Sequence, residues 1–291
     1  MYPIKFVPIM KEMIWGSESW EITCRPHEMG VIENGEFAGK TFAELIATSP
    51  AKILGTALAE KASDKFPLLV KIIDARDALS VQVHPNDAYA KLKGAADTGK
   101  SELWYILEPP TDGHLIIGLK DGITREGLSQ AYENGTVEAC LNRVKVRRGD
   151  IVNIPAGLIH ALTAGVVVAE IQQNSDITYR LYDFGRVGTD GKPRELHVQD
   201  ALAVTNFSNE TGEINHFSVQ KMEITAPFQT ASNPQVFSVY TAVENSAVIE
   251  TPSHTVILPA RRSVFIPAAL GAFTITPQNQ VVTLLSTHAY Y

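Results

Sequence analysis

Gly149-Asp150-Ile151-Val152-Asn153-Ile154-Pro155-Ala156-Gly157-Leu158-Ile159-His160 is the stretch on which the fold turns. A β-branched run meets a Pro-x-Gly corner, and a histidine follows three residues after the glycine. Proline ends a ladder and glycine lets the backbone fold back, so the segment reads as a strand, a tight turn and a presented histidine. Arg262-Ser263-Val264-Phe265-Ile266-Pro267-Ala268 repeats the strand and its proline at a distance that suits one small β-barrel. Outward from these two copies, short runs rich in Val, Ile, Phe and Tyr recur at 80–84, 102–107, 145–154, 166–171 and 263–267, separated by Gly, Pro and Asn. That is the pattern of a mainly antiparallel β protein. Helical spacing is confined to 41–58, around Phe42, Leu45 and Ile46, and to 124–144, with Thr124 and Thr136 as N-caps and a break at Asn134-Gly135. The expected fold class is mainly β: two β units and a small helical insert at about 111–144. The polar, glycine-containing runs at 185–192 and 206–215 predict a division into 1–185, a linker over 186–214, and 215–291.

The chain of 291 residues is 45% apolar and 20% charged, which supports a buried core and excludes a disordered chain. Its net charge of −7 offers no general field for nucleic acid or anionic lipid, so any phosphate site must be local. Cys24 and Cys140 have no CxxC spacing, so no disulfide framework is expected and a cytoplasmic location is. No stretch approaches the roughly 18 apolar residues of a membrane span.

The chemistry gathers in three places. In Leu79-Ser80-Val81-Gln82-Val83-His84-Pro85, strand alternation puts Ser80, Gln82 and His84 on one face. In Gly99-Lys100-Ser101-Glu102-Leu103-Trp104-Tyr105 it puts Lys100, Glu102 and Trp104 together. His160 is the third. A strand histidine or glutamate taken singly is more often an ordinary core or surface residue, but two imidazoles, a carboxylate and an amide oxygen without thiolate suit a borderline divalent cation.

With the tract Glu170-Ile171-Gln172-Gln173-Asn174-Ser175-Asp176-Ile177-Thr178-Tyr179-Arg180 through Arg186, and with Trp15-Gly16 and Glu18-Ser19-Trp20-Glu21 near the start, nearly the whole chain resembles the type I mannose-6-phosphate isomerases in their short bacterial form. The His160 segment is similar to the second cupin motif at each Gly, Pro and His, with Ala164 where that motif ends in Asn. The resemblance implies a cupin-type β-barrel or jelly roll, with a metal-binding first barrel and a smaller metal-free second unit. It implies a zinc-dependent enzyme interconverting mannose 6-phosphate and fructose 6-phosphate through a cis-enediol. The implied partner is a small sugar phosphate, with no nucleic acid and no membrane; the oligomeric state stays open. The family's zinc ligands fall on Gln82, His84, Glu102 and His160, its active-site arginine on Arg180, and pocket residues on Lys100, Glu170 and Asp176. Ala272 stands where the second unit would need its histidine, so one Zn²⁺ per chain is expected.

Isomerisation needs a base, and Lys100, Asp176, Glu170, His84 and a metal-bound water all qualify. Arg180 carries a fixed charge and suits oxyanion or phosphate binding. Without a Gly-rich phosphate loop, Ser80, Lys100, Arg180 and Arg186 are the substrate-binding candidates, with Lys192 weaker; His114 and His197 read as structural. Besides a different sugar-phosphate isomerase, a cupin dioxygenase and a non-catalytic sugar-binding cupin are the competing readings. Gln82 in place of the first histidine of an iron-binding His-x-His argues against the former, and retention of all four ligands and Arg180 against the latter.

Overall fold

The computed structural model describes residues 1–60, 66–188, 191–208 and 212–290. Contacts divide the chain into two units, one of Met1–Met10, Ser19–Ile72 and Asn215–Tyr291, the other of Lys11–Glu18 and Ile73–Ile214. This differs from the serial division at 185 and 214, because the N-terminal residues pair with the C-terminal strands. Ile4 and Phe265 exchange backbone hydrogen bonds of 2.8 Å, and Arg262 Nε donates to Glu21 Oε2 at 2.8 Å.

The unit holding 73–214 is mainly β, as the alternation predicts. A five-stranded sheet runs in the order Leu141–Lys145, His114–Leu119, His160–Ala161, Val81–Val83, Tyr179–Tyr182. A second sheet contains Ile151–Ile154, Glu102–Glu108 and Val167–Gln173 as antiparallel neighbours. Its register sets Ile154 and Gln172 beside Glu102, and Val152 and Glu170 beside Trp104. The two sheets share a core in which Trp104, Ile106, Val168 and Ile154 from one meet Leu115 and Ile117 from the other, with Leu158 from the turn before His160. Each such aliphatic side chain contributes about 1.5–3 kcal/mol on burial.

Three local expectations change. Residues 145–154 form two strand ends rather than one strand, since Gly149 turns the chain at φ 87° and Leu141–Lys145 and Ile151–Ile154 belong to different sheets. The insert at 111–144 is not only helical: the strands His114–Leu119 and Leu141–Lys145 flank the helix Arg125–Glu133, capped by Thr124 on Gly127 N–H, and a 3₁₀ turn Val137–Cys140 that Thr136 does not cap. The expected linker contains the helix Val198–Val204, whose Ala201 and Leu202 join Val81, Val83 and Ile159 in a second core; residues 189, 190 and 209–211 of it lie outside the described residues.

In the other unit, Pro50 and Gly55 divide 41–58 into the helices Phe42–Thr48, Pro50–Leu54 and Thr56–Ala59. Gly55 has φ 99°, and a Cβ there would lie 2.3 Å from the Gln235 backbone. Two four-stranded sheets follow, Phe217–Ile224, Val282–Ala289, Ser238–Glu244, Ser263–Ile266 and Phe228–Ala231, Ala272–Pro277, Ala247–Glu250, Thr255–Leu258. Ala272 is exposed at the start of its strand. Cys24 and Cys140 are free thiols. Among the described residues no helix is long and apolar enough to cross a membrane.

Candidate active site

The Pro-x-Gly corner delivers its histidine as the sequence implies. Gly157, at φ 90°, donates its N–H to His84 O at 2.9 Å, and the short strand that follows pairs His160 with Gln82. His84, Glu102 and His160 are buried, and one ligand atom from each lies within 4.8 Å of the others. His84 Nδ1–H donates to Ile177 O at 2.7 Å and His160 Nδ1–H to Leu158 O at 2.8 Å. Those carbonyls fix both tautomers, so each Nε2 carries a lone pair. The two Nε2 atoms face the Glu102 carboxylate at 3.6 and 3.3 Å. Burial, aided by the Lys100 charge, pulls the pKa of His160 down to about 4, so it is neutral near pH 7. Lone pairs converging on a buried carboxylate form an arrangement that a divalent cation satisfies, so these residues fit a metal.

Around this cluster, Lys100 Nζ lies 2.7 Å from Glu102 Oε2. Gln82 presents its amide nitrogen to His160 Nε2 at 3.4 Å and its oxygen to the Ser80 hydroxyl at 3.3 Å. A half-turn of the amide exchanges the two and points the oxygen at the cluster. Arg180, paired in register with Gln82, donates Nε to Ser80 Oγ at 3.2 Å and Nη1 to Glu195 O at 2.7 Å. Burial and the nearby Arg194 lower the pKa of Arg180, yet a guanidinium keeps its charge in proteins. Trp104 holds Glu170 Oε2 at 2.9 Å through Nε1 and meets His160 edge-on at 5.4 Å, so it walls the site as its strand face implies. Asp176 is exposed, with its backbone N–H on Asp97; its neighbour Ile177 supplies the carbonyl that orients His84.

Arg186 stands apart from this group. It donates to Ala78 O, to Asp183 O at 3.3 Å and to Asp183 Oδ1 at 2.6 Å, which spends its donors on the protein. Arg194, which the sequence reading missed, donates Nε to Asp183 Oδ2 at 2.7 Å. It reaches there because Gly188 N–H bonds Lys192 O and Val187 bridges Pro193, folding the chain back. Burial pushes the Asp183 carboxyl up, but hydrogen bonds from Arg194 and Arg186 outweigh it and hold the pKa below the usual range. Asp183→Asn is expected to destabilise the fold by about 3 kcal/mol, since two guanidiniums lose their counter-charge. A depressed folded pKa gives stability that is full above the unfolded carboxylate's ~4 and lost as pH falls through the lower folded value. Urea midpoints should therefore separate wild type from variant at pH 7 and converge in acid; equal midpoints at pH 7 would refute the role.

A model of the type I phosphomannose isomerase catalytic domain matches residues 7–107. The mannose-6-phosphate isomerase ManA of Bacillus subtilis is 36% identical, covering 79% of this chain and 76% of its own length. The mannose-6-phosphate isomerase of Streptococcus mutans is 35% identical over 75% of this chain and 69% of its own. The crystal structure of the mannose 6-phosphate isomerase from Bacillus subtilis superposes with a TM-score of 0.89 at 30% identity, covering 99% of this chain and 100% of that one. By sequence, by its cupin-type architecture and by the histidine–glutamate cluster it builds, the chain belongs to the type I phosphomannose isomerase family.

Proposed function

We propose that this protein interconverts mannose 6-phosphate and fructose 6-phosphate through a cis-enediol, with one Zn²⁺ held by His84, Glu102, His160 and, after its amide turns, Gln82. The observation that carries the reading is the pair of locked Nε2 lone pairs facing a buried carboxylate that also holds an ammonium at 2.7 Å. Nitrogen and oxygen donors without thiolate, in a small closed set, suit zinc. When bound, the metal would polarise the sugar carbonyl and favour negative charge on the oxygens, an effect of several kcal/mol.

Lys100 is the group of this chain best placed to move a proton at the reacting carbons, because it touches a ligand carboxylate directly. One Glu170 oxygen is held by Trp104 Nε1 at 2.9 Å, and the Asp176 carboxylate is exposed, which ranks them after Lys100. Arg180 holds oxyanion or phosphate charge: its guanidinium bonds only the neutral Ser80 hydroxyl and the Glu195 carbonyl, whereas Arg186 and Arg194 are paired with the Asp183 carboxylate. The two free thiols accord with a reducing cytoplasm.

Metal-replete protein in a coupled assay should turn over mannose 6-phosphate, with glucose 6-phosphate and free mannose as controls; no turnover of mannose 6-phosphate would overturn the reading. Arg180→Lys keeps the charge but loses the planar two-donor fork. It is expected to lower kcat and kcat/KM alike, on the order of 10²-fold, with metal content intact. A raised KM at normal kcat would instead assign Arg180 to ground-state phosphate.

A further inference from the structure

Gln172 has no part in the ligand pattern, yet its side chain is fully buried and paired in register with Glu102. Paired residues on neighbouring antiparallel strands project from the same face with Cβ atoms about 5 Å apart, so Gln172 stands on the wall of the metal cluster. Both its amide hydrogens are committed, Nε2 donating to Gln173 O at 2.8 Å and to Ser175 O at 2.6 Å. Turning the amide would set oxygen against two carbonyl oxygens, so the orientation is fixed. Its Oε1 is buried without a hydrogen-bond partner among the described residues. A buried acceptor left so costs on the order of 1–3 kcal/mol unless a ligand brings the donor.

Lys100 has the opposite surplus. It reaches Glu102 from the loop just before that strand, and the ion pair uses one of its three N–H donors. Spare donors and a spare acceptor, both beside Glu102, call for a group that accepts and donates at once, which is what a hydroxyl does. A neutral amide exchanges no proton near pH 7, so that hydroxyl is one the reaction leaves unchanged rather than the oxygens of C1 and C2.

We propose that Gln172 is a specificity-determining residue: its amide oxygen accepts the hydrogen of the C3 or C4 hydroxyl of the sugar phosphate, and that hydroxyl's oxygen accepts from Lys100. The inference rests on the isomerase reading above and names the part of the substrate read at this wall.

Calorimetric binding of mannose 6-phosphate and its 3-deoxy and 4-deoxy analogues to metal-replete wild type and Gln172→Met tests it, with metal content measured for both proteins. Wild type should bind one deoxy analogue 10- to 100-fold more weakly, on the order expected for a hydrogen bond inside a site that contains a charge. Gln172→Met should keep its metal, show that same loss with mannose 6-phosphate, and lose nothing more with that analogue. Equal wild-type affinity for all three sugars overturns the proposal, and this arm needs no variant to fold. Losses that multiply in the variant, or an unchanged affinity for mannose 6-phosphate, would mean that Gln172 faces only an ordered water. Loss of metal in Gln172→Met would mean that the residue serves the metal cluster instead. Wild type that binds metal but no mannose 6-phosphate overturns the isomerase reading as well; wild type that turns it over without discriminating the deoxy sugars overturns this proposal alone.

Discussion

Alanine in place of His84, Glu102 or His160 is expected to strip the bound metal and lower turnover by about 10³-fold or more, the equivalent of losing several kcal/mol of Lewis-acid stabilisation. Glu102 should be the most sensitive of the three. It is the anionic member of the set, and its carboxylate also holds Lys100 at 2.7 Å, so its removal leaves a buried ammonium without its partner. Gln82→Ala should cost much less metal affinity, because a neutral amide oxygen is the weakest donor and here is turned toward Ser80. Elemental analysis of wild type should return one zinc equivalent per chain. Two equivalents, or none after gentle purification, would contradict the single-site assignment, and equal metal loss in all four variants would sink the ranking.

Lys100→Met is expected to retain metal while kcat falls on the order of 10²-fold or more. Methionine fills a similar volume without charge and leaves Glu102 free to ligate, so metal retention separates lost proton transfer from a collapsed site. Turnover near the wild-type rate would make the lysine structural, and Glu170 would then be the group to vary.

Much of the site was legible because its residues follow strand alternation. Ser80, Gln82 and His84 share a face for the same local reason that Lys100, Glu102 and Trp104 do, and a proline and a glycine mark the corner before His160. What escaped depends on distant partners. Arg194 becomes part of the cationic group only when the chain after Arg186 doubles back, and nothing in its neighbours signals Asp183 as its target. The helix Val198–Val204 lies in a run whose polar flanks suggest a linker, and its apolar side shows only against Val81 and Ile159. Gln172 alternates correctly, but its importance lies in an unmet acceptor, a property of the hydrogen-bond network that composition does not carry. The course of the chain between its units was the least legible of all, since Ile4 beside Phe265 is a pairing between opposite ends of the sequence.

That course sets a timetable for synthesis. One unit is complete once residue 214 has emerged, whereas the other holds residues 1–10 and 19–72 in waiting until 215–291 are made. At cellular elongation rates the gap between residues 72 and 215 lasts about 10–30 s. Throughout it Phe42 and Phe66 lack Phe265 and Phe237, the rings they finally meet at 5.0 and 5.1 Å. The nascent chain therefore carries an aromatic surface past its own folded middle, and that interval is when holdase chaperones have the most to bind.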